Sequence, residues 1–408
     1  MRPTPIFCLA CLCAVASVVS AQTWPQWRGP ARDGRAAVKP PASASRATAL
    51  WKVPVGIGHA SPVVADGRVY LHTRRNEQET IAAFDLATGK TLWSLAYDVP
   101  YEMNPAAREH GKGPKSTPVL SAGRLFTLGI TGVLSAVDAA TGKLLWRASF
   151  DKDFPVTAPE FGTAMSPLVD GDAVIAHVGG RDRGALRAFA VATGRPQWSW
   201  TEDGPGYASP VIVEAGGVRQ IVTQTQQHVV GVERTSGKTL WKMRFETEYQ
   251  QNAVTPVAYR DLVVLSGLGK SAFAVRIARQ GAAWKAETVW ENTSVPMYMS
   301  SPVLSGDVLF GLTHRNRGQF FALDARTGKT LWTSPPRQGE NAAIVGAGDV
   351  LFCLTNDGQL KLVRATATAF EPIGSVEVAT SPTWAHPVVL GDRVLVKDEQ
   401  SLALLKIG

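Results

Sequence analysis

Along most of the chain, apolar and polar residues alternate with a period of two, in short runs cut off by Gly, Asp-Gly or Thr-Gly. Alternation of this kind predicts half-buried β-strands, because successive side chains on a strand point to opposite faces. The clearest run is Ala322 to Trp332, where an apolar stretch meets a turn written Asp-x-x-Thr-Gly-Lys and a second run opens on Trp. That is a hairpin. The pattern returns as Ala83 to Trp93, Ala136 to Trp146, Ala188 to Trp198 and, more worn, Gly231 to Trp241. Gly89 and its counterparts stand where the chain reverses, and glycine takes the positive φ such turns need without steric cost. Asp85, Asp138 and Asp324 can hold the same turns by accepting from nearby backbone N–H groups.

The Trp residues of successive copies stand 53, 52, 43 and 91 residues apart, the last gap holding two units of about 45, the length of a four-stranded propeller blade. A second mark precedes each copy: Ser61-Pro62-Val63, Thr117-Pro118-Val119, Ser166-Pro167-Leu168, Ser209-Pro210-Val211, Thr255-Pro256-Val257, Ser301-Pro302-Val303 and His386-Pro387-Val388. Each unit therefore reads as four strands. Trp51, Trp93, Trp146, Trp198, Trp241, Trp290 and Trp332 open seven outer strands, and Glu371 to Val378 is a weaker eighth without its Trp. Leu50-Trp51-Lys52-Val53 precedes any complete unit, while the unit from Thr380 to Gly408 stops after three strands. If the first strand completes the last blade, the ring closes and no long sheet edge is left bare. The expected fold is all-β, an eight-bladed β-propeller of four-stranded antiparallel blades closed by the N-terminal strand. The repeat Trp residues are expected to wedge between adjacent blades as packing groups.

The Ala-x-Asp-x-x-Thr-Gly-Lys-x-Leu-Trp unit resembles the tryptophan-docking repeat of the pyrroloquinoline-quinone (PQQ) propeller superfamily, over roughly residues 46–408. That superfamily holds eight-bladed quinoprotein alcohol dehydrogenases and also BamB, the cofactor-free propeller lipoprotein of the outer-membrane β-barrel assembly machine. The stretch Trp24-Pro25-Gln26-Trp27-Arg28-Gly29-Pro30 is similar to the start of a group of secreted bacterial PQQ-like propellers. A shared fold leaves two readings, catalysis and scaffolding.

Three segments follow. Arg2, the apolar stretch from Ile6 to Val19 and the small residues Val19-Ser20-Ala21 read as a signal peptide over residues 1–21, cleaved after Ala21, which predicts a periplasmic or secreted protein. Residues 22–45 read as an extended lead-in, with Trp24 and Trp27 pinning it to the outside of the propeller; residues 46–408 are the propeller. Cys8, Cys11 and Cys13 fall in the leader, so the mature chain keeps Cys353 alone and no internal disulfide is expected. No other apolar run is long and continuous enough to span a bilayer, so the expected mature protein is soluble or peripherally attached to a membrane. The formal net charge of +8 suggests affinity for acidic surfaces. Its Lys and Arg residues are scattered through turns, which argues against specific nucleic-acid recognition.

In such blades, the crossings between blades and the turns between second and third strands share one face. That upper face collects the unusual residues, and loops on a rigid scaffold are where binding groups sit. The candidate ligand-binding set at the channel mouth is His59, His110, Lys112, Lys115, Glu160, Tyr207, Asn252, Tyr298, Asn341, Trp384 and His386. No catalytic residue and no metal ligand is assigned. Gly111-Lys112-Gly113-Pro114-Lys115-Ser116 lacks the spacing and the following helix of a phosphate loop, and neither a His-Glu-x-x-His motif nor a Gly-x-Ser-x-Gly elbow occurs. The superfamily resemblance implies, for a dehydrogenase, PQQ with a calcium ion held by carboxylate and amide oxygens, a flat Trp floor and a lid of paired cysteines. Asn252, Glu160, Glu340 and Asn341 are the available ion ligands and Trp384 the available floor; the paired cysteines are missing. The expected function is a non-catalytic exported propeller, BamB-like, with no cofactor. It would bind an envelope protein, peptide or anionic polymer through its upper face and act as a monomer. The alternative is a PQQ-dependent dehydrogenase of alcohols or sugars.

Overall fold

The computed structural model describes residues 23–408, so the signal-peptide reading lies outside the described residues. Eight sheets follow one another along the chain: residues 63–98, 119–148, 168–200, 211–244, 257–292, 303–333, 342–377 and 388–407, here blades one to eight. Every hairpin within them is antiparallel, and the first strands of neighbouring blades touch, which puts them on the channel. Blade eight takes its outermost strand from Ala47–Pro54, paired antiparallel with Ser401–Ile407 in a register that sets Trp51 against Leu404. Closure is therefore made by the N-terminal strand.

Both sequence marks have a structural cause. In the Asp-x-x-Thr-Gly-Lys turns the Asp85 carboxylate accepts from the Thr88 N–H and hydroxyl at 2.8 and 2.7 Å, and Asp138 does the same for Thr141. The turn glycine has a second task beyond its φ of +70°. A Cβ on Gly89 would lie 2.7 Å from the Trp51 ring, and Gly142, Gly194, Gly237 and Gly328 seat Trp93, Trp146, Trp198 and Trp290 in the same way. Each of these indoles also donates to a turn carbonyl of the next blade, Trp51 to Leu86 O at 3.0 Å and Trp93 to Ala139 O at 3.1 Å among them. Flat ring on bare backbone is a contact only glycine permits. Trp241 departs from the pattern because the next blade turns at Gln280-Gly281 on a long hairpin without the motif. Its indole turns back on its own sheet, bonding Gln220 Oε1 at 2.8 Å and lying over Gly231, which explains why that copy has Gly where the others have Ala.

The Ser/Thr-Pro marks form a girdle around the channel. Ser61 N–H donates to Thr117 Oγ1, Thr117 N–H to Ser166 Oγ, Ser166 N–H to Ser209 Oγ, and His386 N–H to Ser61 Oγ, all between 2.8 and 3.1 Å. The following Pro has no N–H, so nothing is left unpaired where each inner strand begins.

The lead-in does not lie on the outside. Trp24 is 1% exposed and exchanges both backbone hydrogen bonds with Val64 on the inner strand of blade one. Buried Arg28 donates to Pro302 O, and buried Arg32 to Ser166 O and Pro167 O. Arg35–Ala36 then adds to blade seven as a fifth strand, parallel to Ala342–Ala347. The segment crosses the channel and plugs it. The physical reason is that its two guanidiniums find carbonyls at the starts of inner strands, Arg28 on blade six and Arg32 on blade three, so the segment is held to both by charged donors.

Cys353 lies fully buried in Val350–Thr355, and burial pushes its thiol up to about 12. Native protein at pH 8 is therefore expected to resist thiol reagents and to react only on unfolding. Stoichiometric labelling before the unfolding transition would contradict this.

Candidate functional site

All eight crossings meet at one pocket on the upper face, open to solvent. The crossing into blade one supplies His59, the next His110 and Lys115, and the others in turn Phe161, Tyr207, Gln251, Tyr298, Asn341, and Trp384 with His386. Trp27 of the plug lines the same pocket and closes it from below. Its indole donates to Thr255 Oγ1 at 3.1 Å and its ring lies 4.4 Å from that of His386. Trp384 packs edge-on to His110 at 5.0 Å and against His59 at 5.9 Å.

Eight of the eleven sequence candidates thus meet here: His59, His110, Lys115, Tyr207, Tyr298, Asn341, Trp384 and His386. The other three do not. Lys112 turns to Glu77 at 3.6 Å. Glu160 accepts from Asn104 Nδ2 at 2.7 Å and lines a separate recess with Arg181 and Tyr249. Asn252 is fully buried, its Nδ2 donating to Thr225 O, Gln226 O and Phe245 O, so it ties a crossing to blade four instead of facing a ligand. Phe161, Gln251 and Met299, on the same upper-face crossings but outside the candidate set, also line the pocket, and so does Trp27, which was expected on the outside. Strand direction puts Phe161 and Gln251 on the same crossings as Glu160 and Asn252, and the choice between neighbours in each pair went to the residue that does not face the pocket. Nothing in the sequence pointed Trp27 inward.

The pocket is aromatic and cationic. No Asp or Glu lines it. The Lys115 ammonium donates to Phe161 O at 2.6 Å and is lowered by burial to about 8. Lys397, behind His59, spends its donors on Gly58 O, Asp398 O and Glu399 O. Burial, then the charges of Lys115, His110 and Lys397, hold His59 down to about 3; burial and Arg28 do the same to His386. Both rings are neutral through the physiological range, so neither acts as a switch there. Tyr207 is pushed well up by burial and stays a neutral phenol, its oxygen 3.3 Å from the Phe161 N–H.

A PQQ and calcium centre does not fit this donor set. A hard cation needs several oxygen ligands, carboxylates foremost. The lining offers the amide oxygens of Asn341 and Gln251, and the latter already accepts from the Tyr298 hydroxyl. Among the described residues no group of three or more His, Cys, Asp or Glu is placed to hold a metal ion. The Lys115 ammonium in the pocket wall would repel a cation besides.

Comparison with known proteins gives a consistent picture of the fold. The family model described as outer membrane protein assembly factor BamB matches residues 41–108, 77–334 and 287–369. The outer membrane protein assembly factor BamB of Shewanella oneidensis is 23% identical over 365 residues, covering 85% of each chain. The dehydrogenase subunit of an alcohol dehydrogenase (quinone) from Acetobacter aceti is 27% identical over 312 residues, 67% of this chain but 39% of that one. Among solved structures, BamB from Moraxella catarrhalis superposes with a TM-score of 0.64 at 13% identity, covering 89% of this chain and 98% of that one, a likeness of fold.

Proposed function

This chain belongs to the family of outer membrane protein assembly factor BamB, and on that premise we propose that it is an exported, non-catalytic scaffold that binds an envelope protein or peptide through its upper face. The observation that carries the reading is the composition of the pocket: aromatic walls and a buried ammonium, with no carboxylate to hold an ion or to serve as a base. Aromatic anchors in a concave site framed by polar loops are what partner recognition uses. Export with a leader removed after Ala21, the division into lead-in and propeller, and action as a monomer belong to the same proposal. So does an acidic partner, which the net charge of +8 would draw in.

Two measurements test it. A photo-crosslinking side chain at Tyr249, which is 74% exposed on the upper rim, is expected to capture a discrete envelope partner, while one at Lys39 by the lower mouth captures none. Equal capture from both faces would remove the assignment of the upper face. Separately, purified protein incubated with PQQ and calcium is expected to show no alcohol-dependent dye reduction. Turnover with an alcohol panel, abolished by Trp384→Ala, would replace the scaffold reading with the dehydrogenase one.

A further inference from the structure

We propose that the lower mouth of the channel, on the opposite face from the pocket, binds a small dianionic oxyanion, a phosphate or the phosphoryl group of a phosphomonoester, between the plug and the inner strands of blades three to six. This site stands or falls apart from the reading of the upper face.

Nothing on the chain compensates the charge gathered there. The plug carries three guanidiniums, Arg28, Arg32 and Arg35, and all three line the lower mouth together with Arg219. Asp33 and Asp170 are the carboxylates that line it, which leaves a surplus of two positive charges. Asp170 is already spent on Arg219 at 2.5 Å and Arg234 at 2.9 Å. Asp33 accepts from the Arg35 backbone N–H at 2.9 Å and forms no ion pair among the described residues. The three plug guanidiniums likewise pair with no acid among the described residues. Their bonds run to carbonyls, Asp33 O and Pro302 O for Arg28, Ser166 O and Pro167 O for Arg32 and Leu304 O for Arg35, with the Gln26 amide oxygen added on Arg32. Burial, then the nearby charge of Arg28, lowers Arg32 to about 9, and burial lowers Arg28 to about 10 against the pull of Asp33. Neighbouring cations in a dry wall are held there at a cost that an anion beside them removes.

The donors point to the same conclusion. Arg28 leaves Nε and Nη1 unpaired and Arg32 leaves Nε unpaired, all three shut off from water. Buried donors without partners are rare in native proteins, and a bound ion nearby is one of their ordinary explanations. The sealed groups act on an arriving anion through their charge, which a low-dielectric wall screens little. Arg35 makes the contact: it is half-buried, spends Nη1 on Leu304 O and keeps Nε and Nη2 for an anion coming from solvent. Such a fork matches phosphate oxygens with two parallel bonds. A surplus of two charges suits a dianion, and a carboxylate would neutralise half of it. Because Arg28 is bonded to blade six and Arg32 to blade three, an anion that relieves both also steadies the plug between them.

Titration calorimetry at fixed ionic strength and mildly alkaline pH, with inorganic phosphate against acetate, tests the proposal. Phosphate is expected to bind at a single site, at least about tenfold more tightly than acetate, and to raise the melting temperature as it saturates. Arg35→Gln keeps the backbone pairing of Arg35–Ala36 with blade seven. It is expected to lower phosphate affinity at least about tenfold and to leave the melting curve without phosphate where it was. Lys39→Gln removes a charge from the same face, beside Leu390 and Asp392 and outside the site, and is expected to change phosphate affinity by less than about twofold. Should Arg35→Gln fail to fold, phosphate against acetate on the parent and on Lys39→Gln still decides. Equal binding of phosphate and acetate, several weak sites, or equal losses in Arg35→Gln and Lys39→Gln would mark general attraction to a basic surface and overturn the proposal. Sedimentation with phosphatidylcholine vesicles carrying phosphatidic acid is the last arm. Vesicle binding that Arg35→Gln abolishes places the phosphoryl group on a lipid, binding of dissolved phosphate alone places it on a free anion, and binding of neither overturns the site.

Discussion

Replacing Ala47–Pro54 with a glycine-serine linker of equal length is expected to abolish cooperative folding of the propeller. The strand carries seven backbone pairs to Ser401–Ile407 and delivers Trp51 to its seat on Gly89 between blades eight and one. Without it, blade eight loses its outer strand, the core shared by blades seven, eight and one is opened, and a continuous row of backbone donors and acceptors is left bare. Trp51 alone, 9% exposed, accounts for about 3–5 kcal/mol of such a loss. Native domains are stable by only about 5–15 kcal/mol in all. Chemical denaturation followed by tryptophan fluorescence reads the outcome: a linker variant with the parent's midpoint and slope would show that the ring does not depend on this closure.

The second large effect is expected of Trp24→Ala, at about 3–5 kcal/mol. Trp24 is buried against the inner strand of blade one and lies over Gly29, where a Cβ would come within 2.8 Å of the ring. Its removal leaves a hollow under the plug that the surrounding strands, tied by the hydroxyl girdle, cannot collapse to fill. The floor of the pocket should loosen with it, since Trp27 sits three residues along the same short segment. A lead-in pinned to the outside would lose far less, within about 1 kcal/mol for a peripheral contact. A denaturation midpoint close to the parent's would therefore place the segment outside after all.

What could be read in the chain was what repeats. Alternation, the turn motif and the Ser/Thr-Pro mark each occur several times, so a chance match at one copy is outvoted by the others, and blade number, strand order and closure were all legible. The site was legible as a face, because strand direction alone puts His59, His110, Tyr207 and Trp384 at the same end of the channel. What repeats do not encode was missed. The plug occurs once, has no period, and makes its bonds with backbone carbonyls such as Pro167 O and Pro302 O, which every sequence possesses. Asn252 looked like a ligand because its side chain is polar and sits on a crossing; three carbonyls had already claimed it. Glu160 and Lys112 stand on crossings that reach the pocket, but their side-chain direction is set by neighbours such as Asn104 and Glu77 that alternation cannot locate.

The closure that completes the ring also orders events in time. Six of the eight sheets are built wholly from consecutive strands joined by short turns, and blade seven needs only the two-residue Arg35–Ala36 besides its own four, so each of these can form its hairpins as soon as its own residues are at hand. The eighth joins Ser45 and Gly408, which are 363 residues apart in sequence. Bringing such distant segments together costs roughly 5 kcal/mol of loop entropy, against roughly 2 for a ten-residue hairpin loop, before any contact rewards it. The ring is therefore a clasp fastened last, and until it fastens the strand Ser401–Ile407 waits as an open edge that the first strand of any copy, its own or a neighbour's, is equally shaped to fill.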